Sequence, residues 1–291
     1  MRRRPLVLLA AALVAVMATG CLLPPTGAAP LRYRDEIFTA VTKTANIAYA
    51  TPTSRQTGQP VTVFADVYAP TGDTVTSRPA VIWVHGGAFI VGNRTSPEIV
   101  DEANTFARKG YVSVSISYRL SPTGCSAAGP TSECLFAITD AQTDAQTAVR
   151  WLRANAATYG VDTTRIAIGG TSAGAITALN VGYTGDTPTP GPLPQFSSRV
   201  QASVAISGAS LSGGISAGDA PSLLFHGTND GLVPYVWAQN TVNTARDAGL
   251  TSWLITWPGA GHVPYVQNRT QILDLTTNFL YGALGLANAA K

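Results

Sequence analysis

The chain has 291 residues, 45% of them apolar and only 12% charged. That balance excludes an intrinsically disordered chain and suits one large buried core, the size of a single α/β domain. The formal charge of +3 comes from Arg2, Arg3 and Arg4, and the remaining Lys and Arg balance the 16 Asp and Glu, so no nucleic-acid-binding surface is expected.

Those arginines precede an apolar run, Pro5 to Met17, that closes on Ala18-Thr19-Gly20-Cys21. A basic start, a short apolar stretch and small residues describe an export signal over residues 1–20, too short for an ordinary membrane span. Cys21 after Thr19-Gly20 resembles the lipobox of bacterial lipoproteins, although Ala18 stands where that motif usually has Leu. By that resemblance Cys21 becomes a lipidated N-terminus and a point of membrane attachment; cleavage near Ala29 is the alternative, and both stay open. Residues 21–31 read as a Pro/Gly/Ala linker, and residues 32–291 as one domain. The expected location is outside the cytoplasm, extracellular or on the cell envelope.

Further along, Val61 to Tyr68 alternates enough for an early strand, and Pro70 to Pro79 is turn-rich. Ala80 to Val84 and Val112 to Tyr118 are strand-like and rich in β-branched residues. Ile138 to Tyr159 is predicted as a helix, with Ala145, Ala148, Val149, Leu152, Ala156 and Tyr159 as its buried stripe and Gly160 as its stop. Arg165 to Gly169 is the next strand, followed by a small-residue helix from Ala175 and a Pro-rich loop, Thr184 to Pro194. Strands at Gln201 to Ile206, Ser222 to Phe225 and Ser252 to Trp257 alternate with helices at Val236 to Ala248 and Val266 to Leu284. The fold class is therefore α/β, a mostly parallel sheet covered on both faces. The short Gly/Ser-rich stretch Ser207 to Pro221 leaves no room for a large cap.

Cys125 and Cys134 sit in one Gly/Pro-containing loop without a nearby histidine, so they are expected to form a structural disulfide rather than a metal site. A bridge over so short a loop contributes roughly 2–3 kcal/mol.

Gly170-Thr171-Ser172-Ala173-Gly174 follows a strand and opens a helix. A serine at such a turn, flanked by residues without bulk, is the pattern of a nucleophile elbow, and the helix N-terminus beneath it favours a developing anion. Read alone, the same pattern describes an N-cap serine; the strand-turn-helix setting favours the elbow. His85-Gly86-Gly87-Ala88-Phe89 after its own strand has the freedom to aim backbone amides at one point.

A serine hydroxyl needs a base, and the chain has only three histidines. His85 lies inside the glycine loop, where its role is structural, and His226 ends a strand as a turn residue near the acid loop. His262, in Pro258-Gly259-Ala260-Gly261-His262, is the candidate base. Asp230, four residues after His226, is the candidate acid, which completes the chain order Ser172, Asp230, His262. Asp140 and Asp144 are read as capping or ion-pair residues, Asp247 and Asp274 as solvated, and Asp186 and Asp219 as loop carboxylates without an assigned role. No G-x-G-x-x-G follows the first strand and no Walker loop is present, so no cofactor and no metal are expected.

Together these features resemble the carboxylesterases of the α/β-hydrolase superfamily, near the hormone-sensitive-lipase-like and type B esterase branches, from about Arg32 to the final helix. Trp83 to Phe89 looks like the family's HGG-type loop, and Val149-Arg150-Trp151-Leu152-Arg153 with Arg165 to Gly170 looks like the helix and strand leading to its nucleophile. The resemblance implies a carboxylic ester hydrolase working through an acyl-enzyme, with the amides of Gly87, Ala88 and Ala173 as the oxyanion hole. Ala88 replaces the third glycine of an HGGG loop, keeping the N–H while its methyl narrows the acyl pocket. Asp230 and Thr171 stand where type B enzymes usually carry glutamates, which moves the chain towards the smaller esterases. The implied partner is a small-molecule or polymer-borne ester with a short acyl chain. The alternatives are a serine peptidase of the prolyl-oligopeptidase kind and a non-catalytic binding protein on a hydrolase fold.

Overall fold

The β-branched runs pair into a single sheet in the computed structural model, which describes residues 29–125, 131–186, 191–211 and 214–289. The signal segment and Cys21 lie outside these residues. The strands are β1 (Val41–Ala50), β2 (Val63–Pro70), β3 (Arg78–Val84), β4 (Val112–Ile116), β5 (Val161–Thr171), β6 (Ala202–Ile206), β7 (Ser222–Gly227) and β8 (Ser252–Trp257). Their spatial order is β1-β2-β4-β3-β5-β6-β7-β8. β2 runs antiparallel to both β1 and β4, and the strands from β4 to β8 are parallel.

Alternation along the central strands sends side chains to two buried faces. In β3, Ala80, Ile82 and Val84 join the core under helix α2 (Ser132–Ala154), whereas Val81 and Trp83 join the opposite core under α1 (Pro97–Arg108) and α6 (Tyr265–Ala283). Two further helices, α4 (Ala173–Gly182) and α5 (Tyr235–Asp247), share a third cluster through Leu179, Ala238 and Val242. Among the described residues no helix is long and apolar enough to cross a membrane.

Two elements escaped the sequence reading. Helix α1 carries clear signals in hindsight: Pro97 at its first turn, Glu98 beside it, and Ile99, Ala103, Phe106 and Ala107 on one buried face. Strand β1 is a mostly exposed edge rich in Thr, with no hydrophobic period to betray it. The helix expected over 138–159 begins six residues earlier, where the Thr131 hydroxyl accepts from the Cys134 amide at 3.2 Å as an N-cap. Cys134 therefore lies in the first turn of α2 and not in a loop. That helix breaks at Asn155, and a short turn of helix, α3 (Ala156–Tyr159), ends on Gly160 in the left-handed conformation. Helix α4 starts at Ala173, two residues before the expected Ala175, because the chain turns at Ser172 itself.

Candidate active site

At the carboxyl end of β5 the chain reverses abruptly into α4. Ser172 makes the turn with φ 55° and ψ −117°, left-handed backbone that a side-chain-bearing residue adopts only under constraint. The constraint is close packing: a Cβ on Gly174 would lie 1.9 Å from the Val84 carbonyl oxygen, and one on Gly170 would lie 2.5 Å from it. Only glycine fits at either position. The strain aims the Ser172 hydroxyl out of the turn, above the N-terminus of α4, whose first amides have no intrahelical acceptor.

The loop after β3 abuts this elbow. A Cβ on Gly86 would sit 3.2 Å from the Ser172 Cβ and 3.0 Å from the Thr171 carbonyl oxygen. Gly87, Ala88 and Phe89 follow with φ of 111°, 52° and 62°, three consecutive left-handed residues that turn the chain sharply beside the elbow. His85 braces the loop from below. Its Nδ1 lies 2.6 Å from the Gly86 carbonyl oxygen, its ring stacks on Tyr118 at 4.3 Å, and the Tyr118 hydroxyl donates to the His85 carbonyl. Burial pushes the His85 pKa down to about 4, so the ring is neutral. Tyr118, which the sequence did not single out, is part of this support.

The imidazole of His262 joins Ser172 to Asp230. Its Nε2 is 2.8 Å from the Ser172 Oγ, and its Nδ1 is 2.8 Å from the Asp230 Oδ2. A carboxylate accepts only, so the proton sits on Nδ1 and the Nε2 lone pair faces the hydroxyl proton. The Asp230 side chain is fully shielded, whereas that of His262 is 18% exposed, enough to meet a substrate. Burial pushes the Asp230 carboxyl up, but hydrogen bonds from His226, His262 and the amides of Val233 and Leu232 outweigh it and hold the group well below the usual carboxylate range.

Two loops hold acid and base in register. The Asn229 amide donates to the Ala260 carbonyl at 2.9 Å, and the Gly259 amide donates to Thr228 Oγ1 at 2.8 Å. Gly227 permits this contact, since a Cβ there would lie 2.2 Å from the Ala260 oxygen. Ser207, at the end of β6, accepts from the Val263 amide at 3.0 Å and so anchors the histidine loop. Nothing in the sequence distinguished Ser207, whose partner is 56 residues away.

The other carboxylates lie elsewhere. Asp144 is buried against Arg119 and Asp140 pairs with Arg55 and Arg119, while Asp247 and Asp274 are exposed. Asp186 and Asp219 accept from nearby backbone amides. Among the described residues no group of three or more His, Cys, Asp or Glu could hold a metal ion.

Ser172, Ala173 and Ala88 open into a cavity of about 420 Å³ whose walls are chiefly apolar, including Phe89, Ile176, Leu232 and Trp237. The disulfide between Cys125 and Cys134 forms part of the wall. A larger groove of about 510 Å³ lies between β8 and α6, but no side chain in its lining can serve as base or acid.

This sheet order, with a strained serine after β5, an acid after β7 and a histidine after β8, defines an α/β-hydrolase. Residues 65–210, just over half of the chain, match the BD-FAE family, and the chain belongs to it. Residues 202–283 also match the family described as TAP-like protein. The chain is 40% identical over 100 residues to phenmedipham hydrolase of Pseudarthrobacter oxydans, and 30% identical over 115 residues to para-nitrobenzyl esterase of Bacillus subtilis (strain 168). Those stretches cover 34% and 39% of this chain but only 19% and 23% of the relatives' lengths. Among solved structures, butyrate-bound esterase 2 of Thermogutta terrifontis superposes with a TM-score of 0.68 at 23% identity, covering 87% of this chain and 97% of that one. That likeness concerns the fold.

Proposed function

We propose that the protein is an exported serine hydrolase that cleaves carboxylic esters with short acyl chains. The observation that carries the reading is the unbroken chain of hydrogen bonds from Ser172 Oγ through His262 to Asp230, each 2.8 Å long. Ser172 opens into a cavity whose walls are chiefly apolar.

In this reading Ser172 attacks the ester carbonyl while His262 Nε2 takes its proton, and Asp230 stabilises the imidazolium. The carbonyl oxygen, now an oxyanion, accepts from the amides of Gly87, Ala88 and Ala173. His262 returns the proton to the departing alcohol, leaving an ester on Ser172. Water activated by the same imidazole then releases the acid. A donor lost from the oxyanion hole costs about 10²–10³ in turnover, and loss of Ser172 about 10⁶.

Support for an ester comes from the similarity to para-nitrobenzyl esterase and to the Thermogutta esterase, which has been solved with butyrate and with propionate. The cavity of about 420 Å³ has room for an acyl chain, and Ala88 lines it beside Ser172. Export is supported by the basic and apolar start of the sequence and by the Cys125–Cys134 disulfide, which persists in oxidising compartments.

The test is turnover of p-nitrophenyl acetate, butyrate and octanoate and of a peptide anilide by the parent and Ser172→Ala. The expected result is ester hydrolysis that favours the shorter chains and is abolished by the substitution. Ester turnover surviving Ser172→Ala rejects the mechanism, and anilide-only activity makes the protein a peptidase. Fractionation of an expressing bacterium, with mass analysis of the mature N-terminus, tests export and lipidation at Cys21 together.

A further inference from the structure

Asp230 meets a second imidazole besides the one in the Ser172–His262–Asp230 chain. Its Oδ1 accepts from the amides of Leu232 and Val233, both at 2.9 Å, and its Oδ2 accepts from His262 Nδ1 at 2.8 Å. A second imidazole reaches the same Oδ2: His226 Nε2 lies 3.2 Å from it and 2.8 Å from the Val233 carbonyl oxygen. Both neighbours of that nitrogen accept only, so Nε2 carries the proton and donates chiefly to the Val233 carbonyl, with Oδ2 as the longer, secondary acceptor. The tautomer is thereby fixed, and Nδ1 keeps a bare lone pair.

That lone pair is the anomaly. His226 is fully buried at the end of β7, and its Nδ1 has neither solvent nor a hydrogen-bond partner among the described residues. Thr256 of β8 lies beside it in register, and the Tyr235 ring packs 5.9 Å away. The titratable groups that face it are Asp230, Tyr235 and, across the carboxylate, His262. A phenylalanine would fill this space without an unsatisfied nitrogen, so packing alone does not account for an imidazole. What the imidazole adds is the Nε2–H bond.

We propose that His226 is a positioning residue for the Asp230–His262 pair, its Nε2–H fixing the carboxylate oxygen that orients His262 and drawing off part of that oxygen's negative charge. The inference rests on the hydrolase reading above. Two imidazoles share one oxygen, so each tempers the other's hold on it. Without the His226 donor, the two amides still hold Oδ1, but Oδ2 loses one of its two fixed neighbours and its full charge bears on His262, which both loosens the orientation of that ring and favours its protonated form.

The test compares His226→Phe, which keeps the ring and removes the donor, with His226→Gln, which returns an N–H near the position of Nε2. Each variant is normalised to the sites titrated by a serine-reactive phosphonate. For His226→Phe the expected result is a kcat lower by about 10- to 100-fold with KM nearly unchanged, and an acid limb of the kcat/KM profile displaced to higher pH. His226→Gln is expected to restore most of kcat and the parent profile. Parent-like kcat and pH profile in His226→Phe overturn the proposal, as does a loss in both variants that disappears on normalisation. Should His226→Phe not fold, His226→Gln decides alone: a parent-like profile supports the donor role, and a displaced one at full titration overturns it. These outcomes are separate from those of Ser172→Ala, where surviving ester turnover removes the underlying reading itself.

Discussion

The Cys125 amide donates to the Ala88 carbonyl oxygen at 2.9 Å, tying the disulfide directly to the glycine loop beside Ser172. Cys134 holds the other end of the bridge in the first turn of α2, so the loop is braced against a 23-residue helix. The Ala88–Phe89 peptide, one unit beyond the Ala88 amide, is thus held from outside its own turn.

Removing the bridge should therefore act on turnover as well as stability. Closing a loop with a sequence separation of 9 stabilises by about 2–3 kcal/mol. The Cys125→Ser/Cys134→Ser double variant is expected to lose about that much in denaturant unfolding. Its kcat on p-nitrophenyl butyrate should fall by up to about 10²-fold through a shift of the loop main chain at Ala88. Dithiothreitol should reproduce both effects in the parent and neither in the variant. Unchanged kcat after verified loss of the bridge would separate the disulfide from the function of the glycine loop.

Neighbouring positions in that loop should respond in opposite ways. Gly87 has φ 111°, and a Cβ there would lie 2.1 Å from the Val91 carbonyl oxygen. Gly87→Ala must rebuild the turn, with an expected loss of about 10²–10³ in kcat. Ala88 has φ 52° and lines the cavity, so Ala88→Gly relieves strain and removes the methyl that narrows the site. It should retain the acetate rate and raise kcat/KM for esters with branched acyl groups, measured side by side on p-nitrophenyl acetate and pivalate.

Substituting Asp230 should be severe because it inverts a tautomer. An asparagine amide turned towards His262 Nδ1 donates where the carboxylate accepted, which places the imidazole proton on Nε2 and blocks proton transfer from Ser172. Asp230→Asn is expected to lower kcat by about 10⁴. The carboxyl also carries a linkage effect. Its folded pKa is depressed, so the stability it contributes is fully present above the unfolded pKa of about 3.9 and is lost as pH falls towards the folded value. The parent should lose stability below about pH 4 more steeply than Asp230→Asn in acid titrations followed by circular dichroism.

How far the sequence foretold this arrangement depended on the range over which each signal acts. Gly170 to Gly174 and His85 to Phe89 could be read because sterics within five residues demand glycine where a strand meets a helix. His262 was reached by elimination among three histidines, and Asp230 by its place in the chain order. Strand β1 could not be read, since an edge facing solvent on most of its length has no alternation to impose. Helix α1 was legible in Pro97, Glu98 and the spacing of Ile99, Ala103, Phe106 and Ala107. Ser207 and the second bond of His226 depend on loops converging from β6, β7 and β8, which no local pattern encodes. The same holds for the contact between Cys125 and Ala88, 37 residues apart in sequence yet adjoining in space.

Glu102 offers a test of stability remote from the site. It projects from α1 into the interior with 1% exposure, and its Oε2 has no hydrogen-bond partner among the described residues. Burial, with Glu98 and Asp101 nearby, pushes its carboxyl well above the usual range. The folded pKa is raised above the unfolded value, so the stability contribution is fully present below about pH 4.3 and is lost as pH rises through the folded value. At neutral pH the native state therefore either holds a proton that the unfolded chain releases or buries an unpaired charge, and both are costly. Glu102→Gln keeps the shape and removes the ionisation. It should raise stability at pH 7.5 by on the order of 1 kcal/mol, with little difference from the parent at pH 4, in urea unfolding at both pH values. A gain of equal size at both would trace the effect to packing instead, and a loss at pH 7.5 would show that the carboxylate has a partner when ionised.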